Sequence, residues 1–542
     1  MIRALYYLYY KDTAGAPSRK GGASNCGRRR HRPAGPVLHW RVARRVRGLV
    51  LAAILVVIVL SSMVAAGLMF RMRAELSASA ASTQGDQAYL AAMSGIEQAL
   101  AVLSPPPGEE QEAEQIDVDG TMIEAPPIPF VTSPALSNPT LWFDNPDLFK
   151  NQLVLDDGVN KWYFTIYSAS SVDPTRVRNG LTDESSKINI NTADEATLLR
   201  LPGMTSSLVA ALLDYRDKDS EPRVEGAEQE YYDTLPQPYT IRNGPLTTLE
   251  ELLVVKGFGA GVIYGEDANM NTLLEPNEDD GDSSFPPDDN DGKLNMGLYG
   301  SATTLSYGFD YNKEGKAKVD INGRSGSSAA RDAGVSAQTI RFIEAYRGDG
   351  NRFTHPSQLL NMRYTMRQRG NTRGGPPGRG GRPGPPPRPV TLESGVTASD
   401  MPLILETFTA SRGGGRVPQT GLVNINTAPT AVLAALPGMD EGLAQQIVEA
   451  RPQLDAEALS TSAWLLTQGL MEADAFKQVA PKLTTRGYQY RMRVIGFGVP
   501  SGRYRIFEVV VDLAGPSPRV IYQRDVTRLG LPFPLTTEEE EL

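Results

Sequence analysis

The chain has 542 residues, a formal net charge of −9, 40% hydrophobic residues, 52 glycines and 40 prolines. That size allows two to four domains with real cores and many loops, and the acidic balance argues against a general nucleic-acid binder. A single cysteine, Cys26, excludes a disulfide framework and a cysteine-based metal site, and the three histidines, His31, His39 and His355, form no metal-ligand or triad spacing, so no enzyme is expected.

Residues 1–48 are rich in Gly, Ser and Arg and predict a disordered basic leader; a start downstream of Met1 stays open. Residues 49–70 hold no charged side chain, and Arg41, Arg44, Arg45 and Arg47 stand just before them. A helix of that length crosses the hydrocarbon core of a bilayer, with the arginines on the cytoplasmic side and the chain beyond Phe70 across the membrane. Leu76, Tyr89, Leu90, Met93, Ile96, Leu100 and Leu103 continue at helical spacing, and no proline intervenes before Pro105. One helix over 49–103 is predicted, its second half amphipathic and packed on a soluble domain.

Residues 105–140 are Pro-rich and loop-like. Alternation predicts strands at 152–155 and 161–169 around the Asp156-Asp157-Gly158 turn, then a three-stranded meander at 488–496, 504–513 and 520–527. A long N-terminal helix on such strands makes a pilin-like α+β unit with an antiparallel sheet. Its two parts, 105–186 and 486–530, flank an insertion over 187–485, and an acidic tail covers 531–542. Within the tail, 538–541 read as solvated charge.

The insertion carries an internal repeat. Lys187-Ile-Asn-Ile-Asn-Thr-Ala returns as Lys318-Val-Asp-Ile-Asn-Gly-Arg and as Leu422-Val-Asn-Ile-Asn-Thr-Ala. It reads as three helix-hairpin-helix units in a mostly α-helical domain. In the first, Thr192 caps a helix and Glu195 completes a capping box. Leu198, Leu199 and Leu201 give the apolar face, Pro202 and Gly203 the turn, and Leu208, Val209, Leu212 and Leu213 the return helix. The third follows suit with Thr427, Val432 and Leu433, the Pro437-Gly438 turn, then Leu443, Ile447 and Val448. Between the copies lie an acidic loop over 275–291 and a Gly/Pro/Arg tract over 370–389, expected to be a flexible linker.

DNA-binding versions of this hairpin expose backbone N–H groups to phosphate through a Gly-hydrophobic-Gly turn. Here Gly203-Met204 is followed by Thr205 and Gly438-Met439 by Asp440, whose charge repels phosphate; Gly257-Phe258-Gly259 keeps both glycines. Packing is the preferred reading of the hairpins, with DNA an unlikely partner.

Two resemblances follow from these residues. The basic stretch, Gly48 and the apolar helix resemble a type IV prepilin leader and cleavage site. Lys187-Ile-Asn-Ile-Asn, Leu201-Pro-Gly-Met, Asp214-Tyr-Arg-Asp-Lys-Asp, Gly226-Ala-Glu-Gln-Glu-Tyr-Tyr and Asn243-Gly-Pro-Leu-Thr-Thr-Leu-Glu-Glu-Leu resemble the K-type minor pseudopilin of the type II secretion system (general secretion pathway protein K). With the helix and the C-terminal strands, the resemblance covers most of the chain after Gly48; the long leader, acidic loop and Gly/Pro/Arg tract depart from it. It implies cleavage after Gly48 by the prepilin peptidase, methylation of Leu49, and a place at the pseudopilus tip with the I- and J-type minor pseudopilins. It also implies a bacterial inner-membrane location, single-pass, with a cytoplasmic N-terminus and a periplasmic soluble domain. Ordinary pilins carry Glu at the fifth mature position; here Ala53 stands there, as suits a subunit with no neighbour above it, since an unpaired carboxylate in a bilayer is costly.

Carboxylates make calcium a candidate ligand. One set is Asp280, Asp282, Asp289 and Asp291 in the acidic loop, where neighbouring Asp279 and Asp288 add charge but Pro276 and Pro287 fall where an EF-hand needs its first Asp, and a solvated loop is the preferred reading of 275–291. The other is Asp214, Asp217, Asp219 and Glu228. The expected function is a non-enzymatic minor pseudopilin that caps or initiates the pseudopilus tip. The alternative is a membrane-anchored, competence-type DNA receptor.

Overall fold

The computed structural model describes residues 47–104, 115–118, 121–124, 139–170, 173–366, 390–514 and 517–535. The leader before residue 47, most of the loop at 105–138, the tract at 370–389 and the acidic run at 538–541 lie outside the described residues. The chain divides into two units, Met1–Ser77 and Ala78–Leu542.

A charge-free run without breakers makes one helix, α1 (Arg47–Leu103), which belongs to both units. In the first unit every side chain described, over 50–77, is exposed. This stretch is long and apolar enough to cross a membrane. It ends in the polar pair Arg71–Glu75, one helical turn apart at 3.0 Å. An apolar helix surface bare on all sides calls for hydrocarbon around it.

In the second unit, seven strands form one antiparallel sheet: β1 (Gln152–Asp156), β2 (Lys161–Ala169), β3 (Val177–Arg178), β4 (Thr182–Asp183), β5 (Gln489–Val499), β6 (Tyr504–Asp512) and β7 (Arg519–Asp525). The main order is β7-β6-β5-β2-β1, with β3 on β2 and β4 on β5. Two-residue alternation separates its faces. Phe164, Ile166, Met492, Val494, Phe507 and Val509 pack with Ala92, Ile96, Ala99 and Leu103 of α1. Tyr163, Tyr167, Ile495, Phe497 and Ile506 build the opposite layer.

The packed face of α1 keeps Ile96 and Leu103 of the expected set, with Met93 and Leu100 against them, and differs toward the N-terminal side. Leu76, Tyr89 and Leu90 are 67%, 44% and 53% exposed, whereas Ala88, Ala91 and Ala92 are buried. Small residues let the helix backbone come down onto the sheet. A Cβ on Gly95 would lie 2.7 Å from Val494 Cγ1. The contact therefore uses alanine and glycine where the helix comes closest to the sheet, and Ile96 and Leu103 beyond that point.

Between β4 and β5 the chain closes a further core around Ile190, Leu198, Leu212, Phe342, Leu433 and Trp464. Helices α2 (Glu195–Leu198), α3 (Ser206–Arg216) and α4 (Gln229–Asp233) follow the first repeat; α5 (Gly326–Asp332) and α6 (Ala337–Gly348) follow the second; α7 (Thr430–Ala434) and α8 (Glu441–Ala450) follow the third. Each repeat opens in a two-residue strand paired in parallel with a later one: Ile188–Asn189 with Ala302–Thr303, Val319–Asp320 with Phe408–Thr409, and Val423–Asn424 with Leu483–Thr484.

The repeated Asn residues make a clasp. Asn189, Asp320 and Asn424 accept the N–H two residues on, at 2.9, 2.8 and 3.0 Å. Asn191, Asn322 and Asn426 each donate at 2.9 Å to a distant carbonyl, of Leu246, Phe353 and Leu459. The N–H groups of Leu246 and Phe353 donate back at 2.8 and 2.9 Å, and the Trp464 indole does so to Asn426 at 3.2 Å. Arg216, Arg347 and Arg451, at the ends of the return helices, donate to the carbonyls of Ala193, Ile321 and Ala428.

That clasp corrects the expected caps. The Thr192 N–H is held by the Asn189 carbonyl, before the helix begins. Asp194 is the α2 cap, accepting from Thr197 N–H at 2.9 Å; Glu195 is then the first helical residue, and the expected capping box with Thr192 does not form. Pro429, not Thr427, precedes α7. Leu199 faces outward, 42% exposed.

A buried ionic group fastens this region to the sheet. Arg491 on β5 donates to Glu184 Oε1 at 2.6 Å and also to Glu508 on β6. The Tyr299 hydroxyl donates to Glu508 Oε2 at 2.7 Å.

Candidate metal centre

Asp214 stands on the last turn of α3, Asp217 at its C-terminal cap, and Glu228 immediately before α4. The loop between folds back, so that one carboxylate oxygen from each of the three lies within 4.8 Å of the others. Asp214 is fully buried and Glu228 is 5% exposed.

Two residues cause the fold-back. Arg223 Nη1 donates to Asp214 Oδ1 at 2.6 Å and Asp217 Oδ2 at 2.7 Å, and its backbone N–H to Asp214 Oδ2 at 3.1 Å. Gly226 passes where a Cβ would meet Asp214 Oδ2 at 2.0 Å, so no larger residue fits without displacing the carboxylate.

One guanidinium thus serves two of the three carboxylates, Asp214 and Asp217. Neither oxygen of Glu228 has a hydrogen-bond partner, nor does Asp217 Oδ1, although all three atoms are buried. Burial pushes the Glu228 carboxyl up, and the charges of Asp217, Asp214 and Asp219 push it the same way. Orphaned buried oxygens carry a desolvation penalty that a hard cation would relieve. An all-oxygen donor set fits calcium and does not resemble the nitrogen and sulfur sets of zinc.

Of the residues singled out from sequence, Asp219 lies outside this group; it is exposed and accepts from Glu221 N–H at 2.9 Å. Asp280, Asp282, Asp289 and Asp291 are not gathered into a group among the described residues. Asp280 accepts from Ser284, and Asp291 pairs with Lys293 at 3.4 Å. Gly48, Leu49 and Ala53 lie near the start of α1, and Ala53 is exposed.

Gly203, Gly257 and Gly438 take left-handed φ values of 72°, 84° and 72°, with Pro202 and Pro437 ahead of the first and last; Gly259 has φ −129° and precedes the helix Ala260–Tyr264. Gly334, φ 81°, makes the matching turn between α5 and α6, where no Pro-Gly pair signals it. Past three of these turns one N–H of the following helix is taken by a side-chain cap, whereas the helix after Gly259 has no such cap. Thr205, Ser336 and Asp440 accept from Leu208, Thr339 and Leu443 at 3.3, 3.1 and 2.8 Å. Arg223 escaped the sequence reading, and Gly226 was read there only as the start of a matched run, although a small residue between two acidic runs was a usable signal.

Residues 179–264 and 423–486 match two family models, each described as type II secretion system (T2SS), protein K. The first contains the carboxylate group. No curated protein matches. A chain of the crystal structure of the GspK-GspI-GspJ complex from the enterotoxigenic Escherichia coli type 2 secretion system is similar at 12% identity, over 84% of this chain and 99% of that one. The TM-score is 0.35.

Proposed function

We infer the place of this chain from the premise that it is a protein K-type minor pseudopilin of the type II secretion system, the family of its two matched domains: it caps or initiates the tip of the pseudopilus. One observation carries the reading. The helix α1 is bare and apolar over 50–70 yet buried on the sheet through Ala88, Ala92, Ile96 and Leu103. A rod so divided can be held in a bilayer by one half and display a folded domain on the other. Leaving the bilayer then requires the bare half to pack against sister helices.

The proposed partners are the I- and J-type minor pseudopilins and the prepilin peptidase, which would cut after Gly48 and leave Leu49 to be methylated. Ala53 in place of a pilin Glu suits a subunit with none above it. The proposed location is the bacterial inner membrane, single-pass, with the N-terminus cytoplasmic and the second unit in the periplasm. The helical pairs α2–α3, α5–α6 and α7–α8 are read as three helix-hairpin-helix repeats used for packing, the role being structural rather than catalytic. Nothing favours the DNA-receptor alternative: Thr205, Ser336 and Asp440 each take one N–H at the start of a return helix, and the Asp440 charge repels phosphate.

Asp214, Asp217 and Glu228 are proposed to hold calcium, which would neutralise the orphaned oxygens and tie the end of α3 to the start of α4. N-terminal sequencing of the protein from membranes tests the main reading. A methylated Leu49 supports it, and an uncut N-terminus overturns it. Deleting residues 187–485 tests capping: if pseudopili then start and end normally, the tip role is wrong.

A further inference from the structure

Residues 267–278 read Asp-Ala-Asn-Met-Asn-Thr-Leu-Leu-Glu-Pro-Asn-Glu. Side-chain oxygens fall at the first, third, fifth, ninth and twelfth places, the spacing at which an EF-hand loop presents its ligands, and the seventh place supplies a backbone carbonyl. The sixth place of such a loop is normally Gly because the chain turns sharply there. Here it is Thr272, held at φ 67°, so the turn is made without the glycine that marks it in sequence. This register begins twelve residues before the first aspartate run of the acidic loop, at Asp267, and needs neither Pro276 nor Pro287.

The backbone wraps around the first side chain. Asp267 accepts from Asn271 N–H at 2.8 Å and from Thr272 N–H at 3.0 Å. Asn269 and Asn271 accept from the N–H groups of Asn271 and Leu273, both at 2.8 Å. Each of these amide oxygens keeps a second lone pair. Glu275 takes the Asn269 and Asn271 amides at 2.8 and 3.1 Å.

An independent sign of a missing ligand is Glu278. It is 1% exposed. Its Oε2 accepts from Glu275 N–H at 3.2 Å, which turns the carboxyl toward the loop, while Oε1 meets no donor. The Thr272 hydroxyl is likewise buried and unpartnered. A twelfth-place glutamate with an idle oxygen, deep in a loop of oxygen donors, is the group that grips calcium with both oxygens in an EF-hand.

We propose that residues 267–278 form a calcium site, separate from the Asp214, Asp217 and Glu228 centre. Asp267, Asn269, Asn271, the Leu273 carbonyl, Glu275 and Glu278 are its ligands, and its three carboxylates offset the charge of the ion. Calcium is favoured over magnesium because a flexible loop with six or more oxygens suits the larger ion. The loop is seated on the sheet: Arg493 of β5 donates to the Met270 carbonyl, and Leu274 N–H to the Pro174 carbonyl at 2.7 Å. Calcium here would therefore lock the inserted region onto β5.

The test is calcium titration of the full chain in detergent after chelator treatment, by calorimetry and hydrogen exchange. Calcium should slow exchange over 267–278 at least about tenfold in the parent chain. The pair D267N/E278Q should lose one calcium equivalent at an unchanged circular dichroism spectrum, and E228Q should keep the site. No slowing in the parent overturns the proposal, as does a folded D267N/E278Q chain with the parent's stoichiometry. An E228Q chain that keeps every equivalent overturns only the first centre.

Discussion

Gly496 lies so close beneath α1 that a Cβ there would come within 2.2 Å of the Ala88 carbonyl oxygen. The helix backbone rests directly on β5 at this point, and the register of helix on sheet depends on both residues being small.

Gly496→Ala should therefore push α1 off the sheet. The expected loss is about 1–3 kcal/mol, as for other overpacked cores, read as a lower denaturation midpoint of the full chain. The atom met is backbone and cannot swing away, so the whole helix must move; an unchanged midpoint would mean that the helix does not sit on β5 as described.

The clasps predict equal sensitivity at equivalent places. Asn191→Ala and Asn322→Ala each leave a buried carbonyl and a buried N–H without their side-chain partner, at Leu246 and Phe353. Each should cost about 1–3 kcal/mol. Urea unfolding checks this, and Asp substitutions should rescue only the acceptor half.

Glu508 balances two arginines, Arg491 and Arg493, inside the sheet-to-insertion contact. Glu508→Gln leaves them under-compensated in a buried place and should destabilise by about 3–5 kcal/mol. The sensitive readout is protease cutting between β4 and β5, which should rise well before the sheet itself melts.

His355 caps the turn at Pro356–Leu359, its Nδ1 2.8 Å from Ser357 Oγ. Burial lowers its pKa to about 4, against the pull of Asp310. The folded value is depressed below the usual 6.5, so the unfolded chain binds the proton more readily. Stability from this group is complete above about pH 6.5 and falls as pH drops toward 4. His355→Gln should flatten that part of a stability-versus-pH curve; a parallel curve would remove His355 as its source.

Features set by neighbours along the chain were legible in the amino-acid sequence. The charge-free run dictates α1, two-residue alternation dictates the long strands, and Pro-Gly pairs dictate the turns at Gly203 and Gly438, because hydrophobic period and backbone preference act over a few residues. Tertiary structure alone decided the rest. It placed Ala88, Ala91 and Ala92 in the packed face with Ile96 and Leu103, and left Leu90 outside and Tyr89 at the margin against Phe507, because closeness to Gly496 matters more there than bulk. It joined Asn191 to Leu246, Asn322 to Phe353 and Asn426 to Leu459, and it gathered Asp214, Asp217 and Glu228 around Arg223. Those pairings depend on which polar groups are buried together, and desolvation is a property of the folded neighbourhood that no local pattern carries.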